Sequence, residues 1–194
     1  MIAVIHRGIP DELRTDAATL YWAAFGGKLG RVMGPRHRAL RFFEQAMRSD
    51  HALTALSPNG ELLGLVGFKS YSGSMAGGDS AQMRAVYGWF GAAWRGVLLS
   101  LMERDVENRC FLIDGICVVP AAQGQGVGTL LLNAIFDEAR AREYPAVRLD
   151  VIDSNARARA LYEQLGFVAL RTERLGLLRH LFGFDASISM VKEL

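Results

Sequence analysis

The stretch of sequence that decides the fold is residues 110–136, CFLIDGICVVPAAQGQGVGTLLLNAIF. The dense apolar run Cys110–Val119 predicts a strand, and Pro120 ends it. Apolar residues recur at helical spacing from Val127 onward, which predicts an amphipathic helix. The glycine-rich turn between them allows a tight bend, so that successive N–H groups point outward at a helix N-terminus. Partial positive charge and unpaired donors at that terminus suit a pyrophosphate.

The turn differs from two common phosphate-binding patterns. No Gly-Lys-Ser/Thr follows it, so it is not a Walker A loop. Gly124, Gly126 and Gly128 occupy every second position, so the third glycine comes one residue too early for the dinucleotide pattern G-x-G-x-x-G. Glycine turns before helices are common. The turn alone therefore leaves phosphate binding open.

A second strand and helix follow closely. Val147, Leu149 and Val151 recur at every second position, which predicts a strand. The run Asp153-Ser154-Asn155 offers N-cap side chains for a helix that Gly166 ends. A strand therefore precedes a helix here too, as it does at residues 110–136.

The rest of the chain alternates between short strands and helices. A strand at Ile2–His6 precedes a helix that opens at Pro10, and a break marked by glycines at residues 26–34 precedes a second helix. Asn59-Gly60 is typical of a hairpin turn. With no repeat and no interdomain linker, the order predicts a single mixed α/β domain over residues 1–194.

The composition fits one globular domain. The chain has 194 residues, a net charge of +2 and 51% apolar residues, which excludes intrinsic disorder and gives no reason to expect a nucleic-acid partner. Cys110 and Cys117 cannot form a disulfide framework, and the histidines are scattered, which predicts a reduced cytoplasmic protein without a metal site. No apolar run qualifies as a signal peptide or a spanning helix, so no membrane partner is expected.

The run from Ile113 to Phe167 resembles the core of the GNAT superfamily of N-acetyltransferases. The resemblance rests on Gln123-x-x-Gly126-x-Gly128 after Val118-Val119-Pro120, and on Asn155, Ala158, Ala160-Leu161-Tyr162-Glu163 and Gly166-Phe167. It implies an α/β (α+β) fold in which helices flank a mixed, mostly antiparallel central sheet. The fourth and fifth strands of that sheet would splay apart, with a helical insertion between the third and fourth.

The resemblance also implies a reaction. An acetyl group would pass from acetyl-CoA to a primary amine of a small molecule or a protein, by direct attack and without a covalent enzyme intermediate or a metal. The backbone of Ile116, Cys117 and Val118 would bind the pantetheine arm. The pyrophosphate would be bound by the turn, and Asn155 would bind the cofactor from the next helix. The turn residues concerned are Gln123, Gly124, Gln125, Gly126, Val127, Gly128 and Thr129.

The resemblance makes Tyr162 the general acid, donating its phenol proton to the departing CoA thiolate. The alternative is a packing role, because Tyr162 lies four residues after Ala158 on a helix. The general base is open between two carboxylates and water. Asp150 occupies the strand position where some family members carry a catalytic glutamate, and Asp114 lies on the preceding strand. The structural alternatives are an ion pair of Asp150 with Arg148 and a hydrogen-bonded Asp114.

Cys117 would lie beside the thioester. A nucleophilic thiol needs a neighbouring base or cation to lower its pKa, and the sequence supplies none. A small buried side chain is therefore the favoured interpretation. Tyr162 and the two candidate acids favour an enzyme, and the alternative is a non-catalytic acyl-CoA-binding module.

The segment from about residue 70 to 109 is longer than a minimal connection between the third and fourth strands. Apolar residues recur at helical intervals from Val86, although Gly88, Gly91 and Gly96 each cost about 1 kcal/mol relative to Ala in a helix. We expect a helix or a helix pair. It would lie over the acceptor side of the cleft or at a homodimer contact, the alternative being packing against its own sheet.

Overall fold

The computed structural model describes residues 2–70, 72–100, 110–176, 179 and 183–194. Its strands are β1 (Val4–Arg7), β2 (Ala52–Leu56), β3 (Leu62–Ser70), β4 (Gly73–Ser74), β5 (Cys110–Val118), β6 (Ala146–Ile152), β7 (Val168–Arg174) and β8 (Ala186–Glu193). They form one sheet in the order β1-β2-β3-β5-β6-β8-β7, with β4 paired to β3. Because the two-residue β4 is counted here, the fourth and fifth strands expected from the sequence are β5 and β6.

Five α-helices lie among the described residues: α1 (Arg14–Met33), α2 (Arg36–Ala46), α3 (Ser80–Ser100), α4 (Val127–Ala141) and α5 (Ala156–Gln164). The sheet separates two apolar cores. Successive residues of β3 point to opposite faces, so that Leu65 packs in the core with α1, α2 and α3, whereas Val66 packs in the core with α4 and α5. None of these helices is both long and apolar enough to cross a membrane.

The predicted splay of β5 and β6 is confirmed. Their parallel pairing ends at Leu112 and Arg148. Immediately afterwards the register of β5 against β3 shifts, so that Asp114 is the extra residue of a β-bulge opposite Gly67 and Phe68. A bulge bends its strand and increases the local twist. The bulge therefore accounts for the point at which β5 leaves β6, and the remaining pairings in the sheet are antiparallel.

Helix α1 corrects the expected break at residues 26–34. The helix continues through Gly26, Gly27 and Gly30 and ends only at Gly34, before Pro35. Each internal glycine costs about 1 kcal/mol of helix stability. The last turn is nevertheless held in place because its Val32 and Met33 side chains are fully buried in the core with α2.

Helix α3 is the predicted helix pair. Gly88 has φ 71° and ψ 175°, which breaks the helix into two segments. The first segment is tied to the end of α1, because the Tyr87 hydroxyl donates to the Met33 carbonyl at 2.6 Å. The Arg95 guanidinium of the second segment lies 4.1 Å from the centroid of the Tyr87 ring and donates to the Gly34 carbonyl at 3.2 Å. The expected insertion thus packs on α1 and α2; its residues 71 and 101–109 lie outside the described part.

Candidate active site

The opening between β5 and β6 is one cavity of about 1220 Å³. One side, which we call the turn wall, is formed by β5 from Ile116, the glycine-rich turn and the first turns of α4 and α5. The opposite side, which we call the aromatic wall, is formed by Tyr21, Phe25, Phe42, Phe43 and Phe184. Met83 and Leu99 of α3 also line the cavity, so the insertion reaches it.

The structure brings most of the sequence-predicted site residues together. Those that line the cavity are Asp114, Ile116, Cys117, Val118, Gln123, Gly124, Gly126, Gly128, Thr129, Asp150, Asn155 and Tyr162. Gln125 and Val127 lie in the same turn but are not among the lining residues. The Gln125 amide donates to the Ala121 carbonyl at 2.6 Å, and Val127 is buried in the core with α4.

The glycines of the turn serve two different purposes. Gly124 and Gly126 have φ values of +79° and +84°, a left-handed conformation that strains other residues. A Cβ on Gly126 would meet no heavy atom within 4 Å, so the space above the turn is open. A Cβ on Gly128 would instead lie 3.3 Å from the Leu161 side chain, so this glycine allows α4 and α5 to approach closely.

Helix α4 presents unpaired donors to the cavity. Gly126 is its N-cap, and its first hydrogen bond runs from the Leu130 N–H to the Gly126 carbonyl at 2.9 Å. The N–H groups of Val127, Gly128 and Thr129 therefore have no acceptor within the helix. Together with the helix dipole, they favour an anionic group at this end of the cavity.

Arg157, which the sequence analysis did not single out, adds positive charge to the turn wall. Its guanidinium donates to the Gln123 side-chain oxygen at 3.3 Å, and the Gln123 amide donates to the Val118 carbonyl at 3.1 Å. Arg157 lines the cavity from the first turn of α5. A cation is unfavourable at the positive end of a helix dipole. That placement, at the start of a helix, was the local signal that could have identified Arg157.

The edge of β5 and the start of α5 supply polar groups on either side of the turn. Ile116–Val118 pair with β3 through Gly64–Val66, but β6 leaves β5 after Leu112. Backbone groups on that side of β5 therefore face the cavity rather than a strand. Asn155 is the N-cap of α5, as predicted, and its Oδ1 accepts from the Ala158 N–H at 3.2 Å. Its Nδ2 amide is the donor that it can offer to a ligand.

Tyr162 is buried at the base of the turn wall. Its ring packs edge-on against Phe167 with 5.9 Å between centroids, and the residue also lines the cavity. Burial raises the pKa of Tyr162 to about 12. The phenol therefore carries its proton at neutral pH. This protonation state is compatible with both the proton-donor role and the packing role.

Asp114 is directed by the bulge toward the aromatic wall. One of its carboxylate oxygens accepts from the Ala76 N–H at 3.0 Å. Burial raises the pKa of Asp114 above its ordinary value, while that hydrogen bond and the charges of Lys69, His51 and Lys28 oppose the rise. A carboxylate with a raised pKa is better suited to take a proton from an amine.

Asp150 is the second carboxylate in the cavity and is exposed to it. The buried Ser189 hydroxyl, directly across the β6–β8 register, donates to Asp150 Oδ1 at 2.5 Å. Arg148, two residues earlier, is 2% exposed and also lines the cavity where β5 and β6 separate. The sequence placed the two acids on neighbouring strands. The structure places both in the same cavity, one at each side of the opening.

Cys117 is a buried thiol on β5. Burial raises the pKa of Cys117 to about 12, opposed by a hydrogen bond from the Leu65 backbone. The thiol is therefore protonated at neutral pH, which disfavours a nucleophilic role. In the described part of the chain, no group of three His, Cys, Asp or Glu residues is placed to hold a metal ion.

The aromatic wall packs directly on β5 beside Asp114. A Cβ on Gly115 would lie 2.9 Å from the Phe25 ring and 3.4 Å from the Tyr21 ring. Tyr21 in turn lies 4.6 Å from Phe25 and 5.0 Å from Phe43, between ring centroids. The sequence analysis missed this contact. A glycine inside an apolar strand, which often marks close approach by another group, was the available signal.

The fold and the cavity define a class of protein. A sequence model of the Acetyltransferase (GNAT) family matches residues 15–167. The chain belongs to this family of acyltransferases, as the two motifs at residues 113–167 indicated.

Two curated relatives match a shorter part of the chain. A mycothiol acetyltransferase of Beutenbergia cavernae is 52% identical over 50 residues, which cover 26% of this chain and 17% of that protein. The ribosomal protein bS18-alanine N-acetyltransferase of Escherichia coli K12 is 48% identical over 52 residues, which cover 27% of this chain and 35% of that enzyme. The matches thus span about a sixth and about a third of these relatives.

Solved structures share the fold over nearly the whole chain. An N-acetyltransferase from Staphylococcus aureus Mu50 aligns with a TM-score of 0.67 and 15% identity, covering 97% of this chain and all of that one. Ard1 from Thermoplasma volcanium aligns with a TM-score of 0.65 and 12% identity, covering 100% of this chain and 99% of that one. At these identities the likeness concerns the fold alone.

Proposed function

We propose that this protein is an N-acetyltransferase that moves an acetyl group from acetyl-CoA to a primary amine. The observation that carries the proposal is that one cavity contains four kinds of group that the reaction needs. They are unpaired N–H donors, an open strand edge, a protonated phenol and carboxylates. Membership of the acetyltransferase family supports it.

The turn wall would bind acetyl-CoA. The N–H groups at the start of α4 would bind the pyrophosphate, and Arg157 would add a charge-assisted contact to a phosphate. The pantetheine arm would lie along Ile116–Val118, continuing the sheet at the place that β6 vacates. The Asn155 amide would donate to the same arm. Gly124 and Gly126 keep the approach to the backbone open.

The reaction proceeds by direct attack. A carboxylate takes one proton from the acceptor ammonium, and the neutral amine nitrogen attacks the thioester carbon. The C–N bond forms, the C–S bond breaks, and Tyr162 donates its proton to the departing thiolate. The nitrogen then loses a second proton, which reprotonates Tyr162. The proton taken by the carboxylate is released to solvent, so one proton is released per acetyl group transferred.

The high pKa of Tyr162 is compatible with this role because the leaving group would lie in a similar environment. A thiol in water has a pKa of about 8.5, so full transfer from a phenol of much higher pKa is uphill in water. Burial raises the pKa of the Cys117 thiol, in the core with α1, to about 12, and it raises the pKa of Tyr162, in the core with α4, to about 12 as well. A CoA thiolate that is partly excluded from water in the cavity would also hold a proton more tightly than it does in water, which lowers the cost of the transfer from Tyr162.

Asp114 and Asp150 are both proposed as the base, acting directly or through water. Asp114 has the raised pKa and lies against the aromatic wall, whereas Asp150 is exposed to the cavity and hydrogen-bonded to Ser189. A non-catalytic acyl-CoA-binding module would need the turn wall but neither carboxylate. The single-domain organisation and cytoplasmic location expected from the sequence stay predictions, as does the absence of nucleic-acid and membrane partners.

We also propose that a second copy of the chain packs on α3. Trp89 and Phe90 are 76% and 93% exposed, and Trp94 and Val97 extend the same apolar surface. The rings of Trp89 and Phe90 alone offer about 300 Å² or more of surface for burial. Each partner in a standard protein–protein interface buries about 800 Å². Sedimentation should give a dimer that the double substitution Trp89→Ser and Phe90→Ser converts to a monomer. A monomeric unsubstituted protein would overturn this assignment.

The experiment that tests the proposed function combines binding with turnover. Acetyl-CoA should raise the thermal unfolding midpoint of the purified protein, whereas ATP and NAD should not. CoA release should then depend on an added amine, measured over polyamines, amino acids, aminoglycosides, arylalkylamines and peptide N-termini. Binding of acetyl-CoA without CoA release from any amine would favour the non-catalytic module. Stabilisation by ATP or NAD alone would contradict both.

A further inference from the structure

The cavity is larger than the cofactor-binding groups require. Small-molecule sites commonly measure about 300–1,000 Å³, whereas this cavity measures about 1220 Å³. Beyond the turn wall it continues between α1, α2 and α3. The residues that line this continuation are mostly apolar or aromatic, among them Leu29, Met33, Phe42, Met83 and Leu99.

The aromatic wall meets β5 at the place where an acceptor must approach. Phe25 and Tyr21 pack on the backbone of Gly115, next to Asp114 and immediately before the strand edge at Ile116. An amine that reached a thioester at this edge would therefore have Asp114 on one side of its nitrogen. Its carbon skeleton would lie against the rings of Tyr21 and Phe25.

The charges on this side of the cavity disfavour an acceptor with several positive groups. Lys28 and Lys69 both line the cavity, and both act on Asp114. The Lys28 ammonium lies 5.2 Å from the centroid of the Phe184 ring, within the aromatic wall. One ammonium can lie beside Asp114. Further ammonium groups would be repelled by Lys28 and Lys69 where solvent is partly excluded.

We propose that the acceptor is a small monoamine whose amino group is joined by a short chain to an aromatic ring, an arylalkylamine. The ring would stack in the aromatic wall, and the single ammonium would lie at Asp114. Polyamines and aminoglycosides carry several charges and lack such a ring, so they match this side of the cavity poorly. The inference rests on the proposed acetyl transfer and specifies its substrate class.

The first test compares acceptors on the unsubstituted protein and needs no variant. With saturating acetyl-CoA, initial rates of CoA release are measured for 2-phenylethylamine, n-butylamine, spermidine and a tripeptide with a free N-terminus. Burial of the ring should give 2-phenylethylamine a kcat/KM about tenfold or more above that of n-butylamine. Spermidine and the tripeptide should fall below n-butylamine.

The second test removes one ring. Phe25→Leu keeps an apolar side chain but loses aromatic stacking, so kcat/KM for 2-phenylethylamine should fall about three- to tenfold, chiefly through KM. The values for n-butylamine and the KM for acetyl-CoA should change by less than about twofold, because neither needs the ring. Phe111→Leu is the matched control, since it loses the same kind of ring in the core with α4 and α5 and Phe111 does not line the cavity.

The outcomes separate this inference from the proposed function. If spermidine, n-butylamine or the tripeptide releases CoA as efficiently as 2-phenylethylamine, the acceptor class is wrong while acetyl transfer stands. Equal effects of Phe25→Leu on 2-phenylethylamine and n-butylamine would also overturn it. If acetyl-CoA binds and no amine releases CoA, the proposed function fails first.

Discussion

The turn wall and the aromatic wall face the same cavity but are built in opposite ways. The turn wall comes from two continuous segments, residues 116–129 and 155–162, and its N–H donors at the start of α4 and its open strand edge belong to the backbone. The aromatic wall consists of side chains that α1, α2 and Phe184 bring together from distant parts of the chain. A common cofactor can be bound by backbone groups at fixed glycine spacing. A variable acceptor has to be matched by side chains, and so no short motif describes it.

Because of this difference, we expect substitutions in the two walls to affect the kinetic constants of different substrates. Changes in the turn wall should alter kinetic constants for acetyl-CoA, and changes in the aromatic wall should alter those for the acceptor. Tyr162 and Asp114 are proposed to transfer protons during the reaction, so substitutions of these residues should affect the chemical step itself.

The largest effect is expected from Tyr162→Phe. The ring keeps its packing on Phe167, but the proton donor is lost, so kcat should fall about 100-fold or more. The KM for acetyl-CoA should stay within about threefold, because the hydroxyl is assigned to the transition state. The measurement is steady-state CoA release. Tyr144→Phe, which removes a hydroxyl from a tyrosine that packs against Phe111 in the same core but does not line the cavity, should leave kcat unchanged. Full turnover by Tyr162→Phe would return Tyr162 to a packing role.

A smaller effect, confined to the cofactor, is expected from Gly126→Ala. The new Cβ would occupy the open space above the turn, so the KM for acetyl-CoA should rise about tenfold or more as contacts to charged phosphates are lost. The KM for the amine should change little. Gly60→Ala is a close control, because Gly60 has φ +83°, has no heavy atom within 4 Å of its added Cβ, and lies in the β2–β3 turn. Equal losses in both variants would mean that backbone strain, not ligand contact, is responsible.

The smallest effect concerns stability and Asp114. Because burial raises its pKa, the folded state binds this proton more tightly than the unfolded state does. The free energy of unfolding contributed by Asp114 therefore falls as pH rises from about 3.9 through the raised folded-state pKa. Asp114→Asn removes that loss and can still accept from the Ala76 N–H. The melting temperature of the variant minus that of the unsubstituted protein should therefore be larger at pH 7.5 than at pH 4, by about a few degrees.

The control for this measurement is Asp137→Asn, an exposed carboxylate on α4 beside Arg140. For this variant, the difference in melting temperature from the unsubstituted protein should be the same at pH 7.5 as at pH 4. A constant difference for Asp114→Asn across the pH range would show that its carboxyl is not destabilised by burial. If kcat also falls in Asp114→Asn but not in Asp150→Asn, the base is Asp114.

Local features of the site were predictable because they depend on neighbours in the chain. Asn155 caps α5 through the Ala158 N–H, three residues away, and Gly124 and Gly126 adopt a left-handed conformation that glycine tolerates most easily. Helix α1 was predicted less well. Its internal glycines are unfavourable locally, whereas burial of Val32 and Met33 in the core with α2 favours a helical last turn.

The sequence by itself determined the turn, the strand before it, the cap after it and, through the family resemblance, the splayed sheet. The tertiary structure alone decided the bulge at Asp114, the approach of Arg157 to Gln123, and the packing of Tyr21 and Phe25 on Gly115. The reason is physical. Backbone conformation and capping are set by residues a few positions apart, whereas register shifts and ring contacts depend on free energies of packing between segments that meet only in the folded protein.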